Sequence, residues 1–387
     1  MDVAAIGALK LDLTNHGVRL GDDLVAGGFA LAFAGDGGNP GAEGLDLILP
    51  GDWWVNVSVA PGYARTSPYT LTLAYEHLVL RHRARGDIPV RVPDTVRFRQ
   101  MRTHTGHSCG DIGAVHGEWL VVAPIGMRDQ LGLDRPRRFL GLPAVRALTK
   151  TQWSIDEVVF CAEQAWRLAG VRMVHLEAGT LLKDDGGVAD LAPYIAAIRR
   201  ALPVMVSVTA LPPSDPTATL ALYAAGCDAI SYHLLAWDEP AAARVAPIRS
   251  RFVPHERFLA ALTAAARAFP SGAVSTDLLL GLEPIERAHA ALGELCRMGV
   301  VPNCTVFRPL AGAEDDAPDG DMLPTEPILA LMAERMRLLR AHDLWHTRVR
   351  GFPRTLSGLD RYRPRWSDRW YAALRRRWRI SDDAEAA

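Results

Sequence analysis

Four side chains have the types and places needed for acid–base chemistry: His175, Glu177, His233 and Asp277. Alternation along the run 171–177 puts Val171, Met173, His175 and Glu177 on one strand face. In the run 204–209, Ser207 and Thr209 share a face. In 229–235 the sharing residues are Ser231, His233 and Leu235. In 273–281 they are Ser275, Asp277, Leu279 and Gly281, with Glu283 just beyond. A buried parallel strand is normally a near-continuous apolar run, and His175, His233 and Asp277 interrupt one. Imidazoles and carboxylates that converge can move protons at neutral pH. Each residue alone reads better as a hydrogen-bonded core group; jointly they make a polar pocket an equal reading.

These residues must be carried by a repeating scaffold. Ser154-Ile-Asp-Glu157 is a capping box opening a helix that ends at Gly170. Beyond it, strands and helices alternate. The strands are expected at 171–177, 204–209, 229–235, 273–280 and 303–308. The helices are expected at 188–201, 218–225, 256–269, 285–298 and 325–342. Units of roughly 30 residues of this kind build parallel sheets with right-handed crossovers. No GxGxxG follows a strand, which weakens a dinucleotide-binding sheet. The fold class expected is α/β, a partial or full (β/α) barrel of parallel strands. In such barrels ligands sit at the C-terminal strand ends, where the four residues fall.

Residues 1–100 read differently. A short helix over 4–20 and a turn-forming stretch at 34–41 precede short runs at 45–49, 53–59, 69–73, 78–80 and 89–92. Gly, Pro and Asp punctuate them, as in a small β-rich module. The expected organisation is a β-rich module at 1–100, a barrel at 101–345 and a helical, basic, Arg/Trp-rich tail at 346–387. The tail could meet an anionic surface, although an amphipathic helix packing its Trp residues on the barrel accounts for it better.

The chain has 387 residues, 43 basic and 44 acidic side chains and a net charge of −1. That balance argues against a general polyanion binder, so nucleic acid is not an expected partner. No run reaches the ~18 apolar residues of a membrane helix, and the N-terminus lacks a signal-peptide pattern. The expectation is a cytoplasmic protein acting on a small molecule, with a protein partner or a second copy also possible. The five cysteines, Cys109, Cys161, Cys227, Cys296 and Cys304, form no CxxC pair.

The ordered segments Leu176-Glu-Ala-Gly-Thr180, Ala225-Gly-Cys-Asp-Ala-Ile-Ser-Tyr-His-Leu-Leu-Ala-Trp-Asp-Glu239 and Ser275-Thr-Asp-Leu-Leu-Leu-Gly-Leu-Glu283 resemble the radical S-adenosylmethionine (SAM) family. The similarity is to the biotin-synthase-like and lipoyl-synthase-like branch, and to uncharacterised radical SAM proteins encoded beside nitrilase genes. It covers most of the chain. The resemblance implies a turn at Glu177, Ala178, Gly179 and Thr180 that binds the SAM amino group. It also implies a turn at Gly281, Leu282 and Glu283 beneath the adenine; Ser207, placed by alternation, is a further candidate for cofactor binding. It further implies a CxxxCxxC loop holding a 4Fe–4S cluster between His116-Gly117 and Ser154. That stretch, from Glu118 onward, contains no cysteine. The expected ligand places fall near Met127, Arg137 and Leu140, and a cluster needs soft thiolates. Leu235 stands where relatives often carry a glutamate, and His116 matches a histidine of relatives with intact clusters. SAM is thus a candidate cofactor and a 4Fe–4S cluster is not an expected one. Arg137 and Arg138 could instead hold a carboxylate or phosphate.

A rival metal site is His104, His107 and Cys109, whose donor types suit zinc or iron. Its spacing matches no zinc-finger pattern, and a polar connecting loop is the simpler account. Three functions stay open. The first is a SAM- or metabolite-binding enzyme doing non-radical chemistry with His175, His233, Glu177 and Asp277. The second is a non-catalytic paralogue that binds a cluster-bearing partner. The third is a metalloenzyme with unusual ligands.

Overall fold

The computed structural model describes residues 3–26, 44–59, 64–125, 152–178, 183–307 and 323–344. The elements of the N-terminal part are α1 (Val3–His16), β1 (Arg19–Leu20), α2 (Asp22–Ala26), β2 (Leu45–Leu49), β3 (Trp53–Val57), β4 (Tyr69–Ala74), β5 (His77–His82) and β6 (Gly86–Pro89). Strands β2 and β3 pair antiparallel, and β1, β4, β5 and β6 form a second sheet in that order. Leu9 and Leu13 of α1 pack with Leu47, Val55, Leu71 and Leu80 in one buried cluster.

The remaining elements are α3 (Val96–Gln100), α4 (Cys109–Ile112), β7 (Gly113–His116), β8 (Trp119–Val122), α5 (Ile155–Ala169), β9 (Met173–Ala178), α6 (Val188–Ala201), β10 (Met205–Ala210), α7 (Thr219–Ala225), β11 (Ala229–Ser231), α8 (Glu239–Val245), α9 (Pro247–Phe252), α10 (His255–Ala268), β12 (Val274–Leu280), α11 (Ile285–Arg297), β13 (Val301–Val306) and α12 (Thr325–Ala341). Strands β8 to β13 lie side by side in chain order, all parallel, with β7 antiparallel on the β8 edge. Sequential parallel order is the winding of a (β/α) barrel, and the curled sheet is a partial one.

The two sheet faces differ sharply. Val174, Leu176, Val206, Val208, Ile230, Val274, Leu278 and Leu280 point to one side. There they pack with Val158 and Ala162 of α5, Leu191 and Ile195 of α6, Phe258 and Leu262 of α10, and Ala291 and Leu292 of α11. Alternation sends His175, Glu177, Ser207, Thr209, Ser231, Ser275, Asp277 and Asn303 to the other side. The apolar face binds the helices, and the barrel's inner face is polar.

Among the described residues several polar contacts join the N-terminal part to the rest of the chain, including one from Asn15 of α1 to the Leu323 carbonyl at 2.8 Å. His116 Nδ1 of β7 is 3.0 Å from Asp46 Oδ2 of β2, and both side chains are buried. Asp12 of α1 accepts from Thr325 at the start of α12 (2.8 Å), from the Tyr69 hydroxyl (3.0 Å) and from Arg85 (2.9 Å).

The capping box is present as expected: Ser154 accepts from the Glu157 backbone, Glu157 returns the bond, and Gly170 ends the helix at φ +68. Several expectations change. The first helix stops at His16, before Gly17 at φ +67, and Arg19–Leu20 is a strand. The strand expected at 53–59 ends at Val57. The strand expected at 89–92 lies at Gly86–Pro89. Residues 119–122, read as the start of a cluster loop, are β8, the first parallel strand. The run 229–235 is a strand only to Ser231. Met127, Arg137, Arg138, Leu140, Gly179, Thr180 and the 346–387 tail lie outside the described residues.

Candidate functional site

The site begins with sheet register. Glu177, Thr209, Ser231 and Ser275 occupy one row across four neighbouring strands. His175 pairs with Ser207, two residues nearer the strand starts, and Asp277 pairs with Asn303. Register and alternation therefore gather polar groups from distant parts of the sequence onto one surface.

The side chains then link up. His175 Nδ1 is 2.8 Å from Ser207 Oγ. His175 Nε2 is 3.0 Å from Thr209 Oγ1 and 3.3 Å from Glu177 Oε2. The same Thr209 oxygen is 3.2 Å from His233 Nε2. His233 Nε2 is 3.4 Å from Asp277 Oδ2, and Asn303 donates to Asp277 Oδ1 at 3.2 Å. The chain runs from β9 to β13. Trp119 of β8 borders it, with its ring 5.5 Å from that of His175. Thr209 and Ser207 are buried, whereas the His233 and Asp277 side chains keep 17% and 24% of their exposure. The titratable groups thus line the open side and the hydroxyls lie beneath them. Among the described residues, Glu177 Oε1 and Ser231 Oγ are buried without a hydrogen-bond partner.

His233 lies beyond the short strand β11, so other groups hold its backbone. Thr276 Oγ1 donates to the Tyr232 carbonyl (2.7 Å) and accepts from the Leu234 amide (2.9 Å). The buried Arg249 guanidinium of α9 donates to the carbonyls of His233 and Leu234 and lies 4.6 Å from the Phe258 ring. Burial pulls the Arg249 side chain down to about 9, which still leaves it charged at neutral pH. Leu235 then takes φ +76, a left-handed conformation that a buried leucine seldom adopts. Its amide bonds Asp277 O and its carbonyl bonds the Leu279 amide.

The turn after β12 holds two more of the expected residues. Gly281 has φ +102, and the nearest atoms to an added Cβ there would be 4.0 Å away, so backbone angle and not crowding requires glycine. Glu283 accepts from the Trp237 amide (2.9 Å) and the Asp238 amide (2.7 Å), so both carboxylate oxygens hold backbone at the start of α8. Ala178 is the buried last residue of β9.

The rival metal site is not assembled. His104 is exposed, His107 Nδ1 faces Glu157 Oε1 at 2.9 Å, and Cys109 is buried beside Cys161. The hydrogen bond from Cys161 lowers the Cys109 thiol, while burial raises that of Cys161. All five cysteines are buried. Among the described residues no three His, Cys, Asp or Glu side chains are placed to hold a metal ion. A 4Fe–4S cluster needs converging thiolates, and no three of the five cysteines come together among the described residues.

Sequence alternation found His175, Glu177, Ser207, His233 and Asp277. It put Thr209 on the right face without giving it a role. Asn303, Thr276 and Arg249 went unassigned, because only tertiary contacts bring them to the site.

No family model matches the chain, and no curated protein matches it. Fifteen chains of solved structures do match. One is the crystal structure of methylornithine synthase (PylB), at 14% identity and a TM-score of 0.38, covering 48% of this chain and 54% of that one. The chain therefore spans about half the length of that structure. A likeness at this level does not extend to ligand or reaction. Fold and site together define a partial (β/α) barrel with a hydrogen-bonded cluster of polar and titratable side chains on its inner face.

Proposed function

We propose that the chain is a radical-SAM-fold protein without the usual cluster. In this reading it binds SAM or a related small metabolite across the strand ends and carries out a non-radical biosynthetic step. One observation supports the reading above all: the His175–Thr209–His233 chain, flanked by Glu177 and Asp277. It lies on the barrel's inner face, and Glu177 and Thr209 bring it near the C-terminal ends of β9 and β10, the end at which (β/α) barrels hold ligands. Within the segments that resemble the family, Glu177, Ser231, Ser275 and Asp277 face this same surface.

Ser207 would lie beneath the ligand, and Ala178, whose side chain packs in the helix-covered core, would meet it through its backbone, as Gly179 and Thr180 would by resemblance. The Gly281 turn would let it approach the main chain, and Glu283 would act by fixing residues 237 and 238. Bound SAM would supply an electrophilic carbon next to its sulfonium. His175 and His233 would hold or accept protons, each beside a carboxylate able to balance the charge. Arg137 and Arg138 would serve as cations that hold a carboxylate or phosphate.

The test is metal analysis and an absorbance spectrum of anaerobically purified protein, joined to a calorimetric titration with SAM. The expected result is a colourless protein that binds SAM. Broad absorbance near ~400 nm with about four irons per chain would overturn the non-radical reading. Binding of neither would point instead to the partner-binding paralogue.

A further inference from the structure

Thr209 allows the two histidines to be told apart by counting hydrogens. Its hydroxyl is buried and carries one hydrogen, and its two neighbours within bonding distance are His175 Nε2 and His233 Nε2. A buried hydroxyl hydrogen without an acceptor is costly, so one of those nitrogens must be bare. The surroundings decide which. His175 Nε2 also meets Glu177 Oε2 at 3.3 Å in hydrogen-bond geometry, and a carboxylate oxygen only accepts; Asp277 Oδ2, 3.4 Å from His233 Nε2, does not reach that geometry. Its other nitrogen, Nδ1, sits against Ser207, whose buried hydroxyl likewise needs an acceptor. Both contacts put the His175 hydrogen on Nε2. Thr209 then accepts from His175 and donates to His233.

We infer that His175 and His233 rest in opposite tautomers, with hydrogen on Nε2 of His175 and on Nδ1 of His233, and that Thr209 sets the difference. His233 is then the available base of the pair. Asp277 is 3.4 Å from the nitrogen that would take the proton. His175, Glu177 and Thr209 are positioning residues. The other charged group at His233 is Arg249, which bonds its backbone carbonyl and leaves the ring alone. This assignment rests on the proposed function only for its use; the tautomers belong to the ligand-free protein.

The experiment is long-range proton–nitrogen correlation NMR on the full chain with ¹⁵N-labelled histidine, at neutral pH and without ligand. His175→Gln and His233→Gln identify the signals. The expected spectrum shows hydrogen on Nε2 for His175 and on Nδ1 for His233. Thr209→Val keeps the shape but removes the donor, so the His233 ring shifts toward the Nε2 form while His175 is unchanged. Thr209→Ser restores the original pattern. If the valine variant does not fold, the wild-type and serine spectra still decide. Hydrogen on Nε2 of His233 in the wild type overturns the inference, as does a folded valine variant with an unaltered His233 ring. Failure of SAM to bind would not change either spectrum.

Discussion

His175 and His233, 58 positions apart in sequence, meet at a single oxygen: Thr209 Oγ1 is 3.0 Å from one Nε2 and 3.2 Å from the other. The β9–β10 register sets Thr209 opposite Glu177 and Ser207 opposite His175. A slip of one residue in either strand would turn that strand's two residues to the helix-covered face. The same contacts that build the sheet therefore build the polar cluster.

The β4–β5 hairpin turns through Tyr75 and Glu76, both with positive φ, at 49° and 66°. Such a two-residue turn favours Asn-Gly, since a side chain in this region costs roughly 1 kcal/mol. The double substitution Tyr75→Asn, Glu76→Gly should stabilise the protein by about 1–2 kcal/mol. Urea unfolding should show a higher midpoint with an unchanged slope.

The His116–Asp46 pair joins two buried surfaces, and Asn56 donates to the same carboxylate at 2.7 Å. Asp46→Ala removes the buried carboxylate that both side chains face and should cost about 3 kcal/mol. A midpoint equal to wild type in the same urea experiment would contradict the contact.

Removing the N-cap hydroxyl of α5 with Ser154→Ala should cost about 1 kcal/mol. The capping box was legible because it is local: a serine, a glutamate three residues later, and Gly170 at the far end. The helix and strand alternation was legible for the same reason, since periodicity records which face each element buries. Strand β8 was not, because the family resemblance pulled Trp119–Val122 into a loop. The early end of β11 was not legible either. It depends on Thr276 and Arg249 drawing the backbone of residues 232–234 away, and neither is a neighbour in sequence. The candidate site was half legible. Alternation marked the polar residues, but only register could show that Thr209 joins them.

Burial pushes the thiols of Cys296 and Cys304 up to about 11, from an ordinary value near 9. The folded chain therefore keeps protons that the unfolded chain releases. The stabilisation is complete below pH ~9 and falls as pH rises toward about 11. Unfolding free energies at about pH 8 and about pH 10.5 should show this loss, and Cys304→Ala should reduce it. Equal pH dependence in wild type and variant would contradict the burial.

The most direct measurement is a crystal structure of the protein soaked with SAM. The account predicts ligand density against the inner face of the barrel, along the strand ends between Glu177 and Asp277 and within hydrogen-bond reach of that polar chain. Density elsewhere on the molecule, or an inner face holding only water at a SAM concentration that saturates calorimetric binding, would contradict it.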